Sequence, residues 1–227
     1  MNKCWSFSNA GEYHFKRGLQ CQDAADSGVK KGMSYIVVAD GAGSFANSKE
    51  GAERSVQAVV EYVSDNFERL FEETVLRAKY FITNYIVYEL RKIADQKDFK
   101  SFGSTIVFLG IKKNRYIVYH LGDGAIFSGD KEYHLMSVPT NGETKNSTFL
   151  TTTEHAYKFA KLDRGTVTDK YFVAVSDGAY DLFCRQSEKT IWEYIINQDV
   201  EHIQEYIKSV HNIDDDYSIS FMTVKEI

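Results

Sequence analysis

Three apolar segments of this chain each run up to an Asp-Gly pair. The segments are YIVVADG, which contains Asp40, YIVYHLGDG, which contains Asp123, and YFVAVSDG, which contains Asp177. Asp-Gly is a preferred turn pair between two strands, and a turn is the simplest interpretation of any one of them. A strand that ends in a carboxylate is also a common way to place a ligand on a rigid scaffold. Three such strand ends favour a site at which carboxylates converge.

The residues after each pair separate the two interpretations. GDGAIF lies between two strand-like runs, which leaves an ordinary hairpin turn open for Asp123. A glycine-rich stretch and then a helix follow Asp40, and GAYDLF and later a helix follow Asp177. Because no return strand follows these two pairs, the turn interpretation fits them less well.

Two further acidic stretches complete the pattern. CQDAAD places Asp23 ahead of the first strong strand, and IDDDYSISF places Asp214, Asp215 and Asp216 ahead of the last one. Adjacent like charges held in a cleft repel each other, and a divalent cation relieves that repulsion, whereas on an exposed loop they cost little. Since the candidates are all carboxylates, the ligand type favours Mg²⁺ or Mn²⁺ over zinc or copper. Two such ions, about 3.5–4 Å apart, are common in phosphate-ester hydrolysis.

The elements that must position these residues are short strands and amphipathic helices. A β-branched run predicts a strand over Met33–Ala39, and apolar residues at helical spacing predict helices over Ser48–Phe67 and from about Leu70 to Ile93. Further strands are predicted in STIVFLGI and RYIVYHLGD (a hairpin around KKN), in GAIFSGDKEYHLMSV (a hairpin turning at Gly129-Asp130), in NSTFLTT, in KYFVAVSD and in DDDYSISFMTV, with one or two helices between Glu188 and Val210. The predominance of hairpins favours helices packed outside antiparallel sheets.

Length and charge set the broad class. The 227 residues contain one proline, no linker and no repeat, so a single domain over residues 1–227 is expected. The net charge of -5 provides no basic surface for nucleic acid and no polybasic membrane patch. No apolar run predicts a transmembrane helix or a secretory signal. The scattered Cys4, Cys21 and Cys184 predict neither disulfides nor a zinc site, and a reduced, cytoplasmic chain is expected.

Six motifs in order resemble those of a known family. CQDAA, VVADGAG, FGSTIVF, HLGDGAIF, VAVSDGAYD and DDDYSIS are similar to the motifs of the metal-dependent protein phosphatases, the PPM or type 2C Ser/Thr phosphatases, and most of all to their compact bacterial forms. The likeness runs from about Gly18 to Met222. Each motif alone is weak, but six in the right order are specific. The resemblance implies an α+β fold, a four-layer αββα sandwich of two antiparallel sheets flanked by helices.

The resemblance also implies a set of metal ligands. Asp40 would bridge two Mn²⁺ or Mg²⁺ ions, with the Gly41 carbonyl as a further ligand. Asp177 and Asp215 would hold the first ion. Asp123, together with Asp177, would hold a third and weaker ion.

Other positions receive supporting roles from the same resemblance. Asp23 would hold a metal-bound water, and Asp23, Asp40 and Asp177 would form the catalytic set. The DDYS sequence places Asp216 at an Asn position of the family and leaves Asp214 as a flanking acid. Gly103, Ser104 and Thr105 match a strand motif behind the site.

The chain departs from the family pattern at several positions. Gln22 stands where many members have Glu, and Ala42 stands where some have a His implicated as general acid. The phosphate-binding arginine of the family has no clear counterpart, so Arg17 and then His14 are the candidates, each with an exposed loop residue as the alternative. The segment between Asp123 and Asp177 is short for the family's flap, which shapes substrate access.

The predicted function is a protein Ser/Thr phosphatase. A hydroxide bridging two metal ions would attack the phosphorus directly, with no covalent enzyme intermediate. The substrate would be a phosphorylated protein, with a cognate Ser/Thr kinase as a possible partner. Two alternatives stay open: a pseudo-phosphatase or phosphoprotein-binding module with little turnover, and a hydrolase of small phosphate esters.

Overall fold

The structure is a computed structural model that describes residues 2–43, 45–140, 148–184, 188–209 and 213–225. Within these residues ten strands form two antiparallel sheets. The strands are β1 (Lys3–Asn9), β2 (Ala24–Lys30), β3 (Met33–Ala39), β4 (Ile106–Lys112), β5 (Arg115–Leu121), β6 (Ala125–Gly129), β7 (Tyr133–Ser137), β8 (Lys161–Thr166), β9 (Tyr171–Val175) and β10 (Tyr217–Thr223). The first sheet has the order β1-β10-β9-β6-β7, and the second has the order β2-β3-β4-β5-β8. The α-helices are α1 (Glu12–Arg17), α2 (Ser48–Glu72), α3 (Val75–Ala94), α4 (Asp177–Tyr180), α5 (Glu188–Asn197) and α6 (Val200–Ser209).

Three apolar cores separate four layers. The apolar faces of α2 and α3 pack on the second sheet, around residues such as Val59 and Phe108. The isoleucines of α5 and α6 pack on the first sheet, around Phe221. The third core, which includes Val38 and Phe172, lies between the sheets. This arrangement confirms the αββα sandwich. No helix among the described residues is long and apolar enough to cross a lipid bilayer.

Most predicted elements are confirmed. The strand over Met33–Ala39 has the predicted bounds. All seven of its residues are buried, as expected of a nearly continuous apolar run in a strand that is covered on both faces. The KKN hairpin joins β4 to β5, and the hairpin at Gly129-Asp130 joins β6 to β7. Both long helices are present, and the second begins at Val75, where Thr74 accepts a hydrogen bond from Arg77 as the N-cap.

One predicted strand is wrong over its described part. Thr148–Thr152 of NSTFLTT forms an isolated bridge and a turn instead. The Thr153 hydroxyl accepts a hydrogen bond from the Leu150 N–H, and such local side-chain bonds compete with strand pairing. Asn146 and Ser147 lie outside the described residues.

Three strands and two short helices, α1 and α4, were not predicted from the sequence. Strand β1 does alternate, with Trp5 and Phe7 facing the helices of the first sheet. Strand β2 (AADSGVK) and edge strand β8 (KLDRGT) consist largely of polar residues and glycine, so neither carries an apolar period of two. Helix α1 has six residues, too few to show helical periodicity.

Strand pairing brings the acidic segments to one end of the sandwich. In the second sheet Ala39, the last residue of β3, pairs with Ala24, the first residue of β2. In the first sheet Val175, the last residue of β9, pairs with Ala125 and Ile219, near the starts of β6 and β10. The loops before β2 and β10 therefore meet the loops after β3 and β9.

Helices α2 and α3 are joined by a buried ionic cluster away from that end. The Glu89 side chain is 2 % exposed and accepts hydrogen bonds from Arg54 and from Lys92. Burial opposes the ionised form, but the two cations lower the pKa of Glu89. We expect Glu89→Ala to lower the free energy of unfolding by about 2–3 kcal/mol, since it leaves Arg54 without its buried partner. Urea denaturation would measure this, and a loss below about 0.5 kcal/mol, as for an exposed pair, would contradict it.

Candidate active site

Three of the predicted carboxylates converge. Asp40, Asp123 and Asp177 each place one oxygen so that the three atoms lie within 4.8 Å of one another. The hairpin interpretation of Asp123 is wrong, because β5 belongs to the second sheet and β6 to the first. The link between them crosses the sandwich through Gly122, whose φ of +109° and close approach to Thr105 exclude a larger residue. This crossing places Asp123 beside the ends of the other two strands.

Asp40 is fixed by its backbone. Its N–H donates to the Thr105 hydroxyl at 2.9 Å, and the Thr105 N–H donates to its carbonyl at 2.8 Å. Gly41 continues this pairing as a bridge to Ser104, and the Ala42 N–H donates to the Gly103 carbonyl at 3.1 Å. The Gly103–Thr105 segment therefore lies behind Asp40 and fixes the position of its backbone.

A cavity of about 310 Å³ opens in front of Asp40. It is lined by Tyr13, His14, Gln22, Asp40, Gly41, Gly43, Asp215 and Asp216. Gly41 must lack a side chain, since a Cβ atom there would lie 2.5 Å from the Gln22 carbonyl oxygen. Asp215 is exposed, whereas Asp216 is buried, so the adjacent acids of IDDDYSISF have different surroundings.

Asp23 lies under the cluster. The residue is 5 % exposed, and neither carboxylate oxygen has a well-formed hydrogen bond among the described residues. Burial raises the pKa of Asp23 from 3.8 to about 7, and the neighbouring Ser176 and Ser218 side chains oppose the rise. A buried carboxylate without such a partner costs free energy, so Asp23 is suited to bind a hydrogen-bond donor or a cation.

The pKa values of two other carboxylates in the cluster are also raised. Burial, followed by the Asp23 and Asp177 charges, raises the pKa of Asp40 well above its ordinary value. Desolvation, followed by the Asp123 and Asp215 charges, raises the pKa of Asp177 to about 7. Asp123 Oδ1 is buried, and none of the residues that the structure describes forms a hydrogen bond with it. A cluster of oxygen ligands with orphaned lone pairs and mutual repulsion fits hard divalent cations.

His14 and Asp216 form a buried pair at the cavity wall. Asp216 Oδ2 lies 2.8 Å from His14 Nδ1 and accepts the Gln22 N–H at 2.5 Å, while Oδ1 accepts the Gly11 N–H at 2.9 Å. Asp216 thereby ties α1 and the loop before β2 to the start of β10. The sequence contains no spacing that connects these residues, because they are 202 positions apart.

Arg17 is not brought to the cavity lining. Its guanidinium lies 3.6 Å from the centre of the Tyr13 ring and donates to the Tyr13 carbonyl at 3.3 Å. The side chain is exposed at the C-terminal end of α1, and Tyr13, on which it stacks, is one of the residues that line the cavity.

The connection after β7 contributes two contacts that sequence reasoning missed. The Thr148 hydroxyl donates to Asp123 Oδ2 at 2.5 Å. The Thr151 N–H donates to the Ser104 carbonyl at 2.8 Å. The end of this connection is thus fixed to the acidic site and to the segment behind it, although its Ser/Thr-rich sequence carries no distinctive signal.

Comparison with known proteins shows the family to which the chain belongs. Residues 10–218 match the family model for protein phosphatase 2C. Serine/threonine-protein phosphatase 3 of Escherichia coli (strain K12) is 26% identical over 181 residues, which cover 75% of this chain and 71% of that protein.

Solved structures share the fold. A bacterial serine phosphatase superposes with a TM-score of 0.74 at 15% identity, covering 100% of this chain and 99% of that chain. The catalytic domain of the serine/threonine protein phosphatase PstP, in complex with two manganese ions, superposes with a TM-score of 0.71 at 16% identity, covering 99% of each chain. The family match spans most of the sequence, so the chain belongs to the protein phosphatase 2C family of metal-dependent phosphoprotein phosphatases.

Proposed function

We propose that this protein hydrolyses phosphoserine and phosphothreonine in proteins and that it uses two Mn²⁺ or Mg²⁺ ions. The observation that carries the proposal is the convergence of Asp40, Asp123 and Asp177 oxygens within 4.8 Å of one another. Asp40, Asp177, Asp215 and the Gly41 carbonyl would hold the two principal ions. Asp123 with Asp177 would hold a third, weaker one.

The acids divide the work of the site. When bound, the ions supply positive charge to the phosphoryl oxygens and lower the pKa of water, so that a hydroxide nucleophile exists at neutral pH. Asp40 is close enough to Asp23, Asp177 and Asp215 for their charges to act on it, and its backbone is held by Thr105. Among the described residues neither oxygen of Asp23 has a well-formed hydrogen bond, which suits this carboxylate to accept hydrogen bonds from an ordered water and to orient it.

The substrate would approach through the cavity in front of Asp40. His14 lines this cavity and stays a candidate for contact with the phosphate or the leaving group. Arg17 also stays a candidate for phosphate binding, although its guanidinium must leave the Tyr13 ring to reach the cavity. A phosphorylated protein is the expected partner, and a cognate Ser/Thr kinase would supply it.

One observation favours a second function, phosphoprotein binding with little turnover. Gln22 lines the cavity, at a position where many members carry a charged Glu, and its buried amide oxygen has no hydrogen-bond partner within the described part of the chain. The missing negative charge weakens the attraction for a second cation. Intact Asp40, Asp177 and Asp215 weigh against this alternative.

The two functions differ in metal-stimulated turnover. We expect the purified protein to release phosphate from p-nitrophenyl phosphate and from phosphothreonine peptides with Mn²⁺, and not with EDTA. The Asp177→Ala variant should lose this turnover, and small metabolite phosphates should react more slowly than the peptides. Calorimetric binding of Mn²⁺ without turnover would favour the binding module, and neither binding nor turnover would overturn both functions.

A further inference from the structure

The two ring nitrogens of His14 have different surroundings. The residue is 7 % exposed, and Nδ1 lies 2.8 Å from Asp216 Oδ2. Nε2 has no hydrogen-bond partner among the described residues, and it is not closed off from solvent. Since the ring lines the cavity shared with Asp40 and Asp215, Nε2 is the nitrogen available to a bound substrate.

Asp216 fixes the proton arrangement of this ring. Both its oxygens are occupied by backbone N–H donors, from Gly11 and Gln22, and backbone N–H groups can only donate. Asp216 therefore acts as an acceptor, and the hydrogen between it and His14 is carried by Nδ1. A carboxylate that holds Nδ1–H in this way orients the imidazole and fixes which ring nitrogen is left for the substrate.

No other described histidine occupies this cavity. His120 is fully buried and bonds the Ser137 hydroxyl and the Gly122 carbonyl. His134, His155 and His202 lie outside the cavity lining. Ala42, at the position where some family members have a histidine, has no ionisable group.

We infer that His14 is the general acid for the leaving group, with Asp216 as its positioning residue. This inference rests on the proposed function. As the oxygen of hydroxide forms a new bond to phosphorus, the bond from phosphorus to the serine or threonine oxygen breaks, and its electron pair stays on that oxygen. The proton on His14 Nε2 moves to the same oxygen, which leaves as a neutral alcohol. The imidazole then takes a proton from water.

The leaving group decides how much this proton matters. A serine or threonine alkoxide is a strong base and a poor leaving group unless it is protonated, whereas p-nitrophenolate is a weak base that leaves unaided. General acid catalysis typically contributes about 10²–10⁴-fold. We therefore expect His14→Gln with saturating Mn²⁺ to lower kcat for a phosphothreonine peptide by at least about 10²-fold. Turnover of p-nitrophenyl phosphate should fall less than about 3-fold.

The chain offers a matched control. His202 Nδ1 lies 2.7 Å from Asp199 Oδ2 on the exposed surface of α6, which is also a His–Asp pair. His202→Gln should change neither rate. If a folded His14→Gln variant loses turnover equally with both substrates, His14 has a structural role. If its KM rises at unchanged kcat, His14 is a phosphate-binding residue. Either result overturns the inference.

Chemical rescue covers the case in which His14→Gln does not fold. Added imidazole should restore peptide hydrolysis by His14→Ala, because the cavity left by the ring can admit a free proton donor. No rescue in the folded His14→Ala variant contradicts the inference. Absence of Mn²⁺-dependent turnover by the wild-type protein on both substrates would instead overturn the proposed function itself.

Discussion

Asp40→Asn is expected to lower Mn²⁺-dependent turnover of a phosphothreonine peptide on the order of 10³-fold, since it removes a charge from the centre of the site. The same change should make the metal-free protein more stable. Burial and the nearby Asp23 and Asp177 charges disfavour ionised Asp40, and these costs disappear with a neutral amide. Asp40→Asn should therefore lower the activity and raise the stability of the metal-free protein.

This signature distinguishes loss of a ligand from loss of the fold. Asp163→Asn is a matched control, because Asp163 is an exposed carboxylate that bonds Tyr116 far along the second sheet. Initial rates with varied Mn²⁺ and thermal unfolding in EDTA measure the two effects. Asp40→Asn with near wild-type activity, or with a lower unfolding temperature in EDTA, would contradict the assignment of Asp40 as a shared ligand.

The metal-free protein is expected to lose stability as pH rises from about 4 to about 7. Asp23 has a pKa of about 7 in the folded protein, against 3.8 when unperturbed. Between these values the folded state binds more protons than the unfolded state, so the free energy of unfolding falls as pH increases. The raised pKa of Asp177 acts in the same direction.

Cation binding should remove this dependence. Mn²⁺ binds the ionised carboxylates of the folded state and stabilises it by mass action, most strongly near neutral pH. Urea denaturation at pH 5 and at pH 7.5, with EDTA and with excess Mn²⁺, tests both parts. If the metal-free protein is more stable at pH 7.5 than at pH 5, then these carboxylates are not held together in an unrelieved cluster.

The sequence predicted the parts of this fold that carry strong local patterns. Met33–Ala39 and the two long helices are defined by their own apolar spacing, so they needed no tertiary information. Strands β2 and β8 lack such a pattern and become strands because a neighbour supplies hydrogen bonds along their length. Pairing of this kind is set by topology, which a local window of sequence does not contain.

The site divides in the same way. Strand ends marked by Asp-Gly pointed to the cluster of Asp40, Asp123 and Asp177, because a buried strand that stops at a carboxylate is visible in one segment. The pairing of His14 with Asp216 is not visible, because it joins α1 to the residue directly before β10, 202 positions further along the chain. The resemblance matched Asp216 to a position that is Asn in the family, and so gave no sign that the Asp216 carboxylate contacts the His14 imidazole.

The crossing from β5 to β6 through Gly122 has a mechanical consequence. Asp23 and Asp40 are carried by the second sheet, and Asp177 and Asp215 by the first. A slide of one sheet over the other therefore changes the distances between these acids, since packed layers transmit displacement rather than absorb it. A ligand bound by acids from both sheets therefore resists such a slide. Binding at the site should increase the force needed to displace the two sheets in opposite directions.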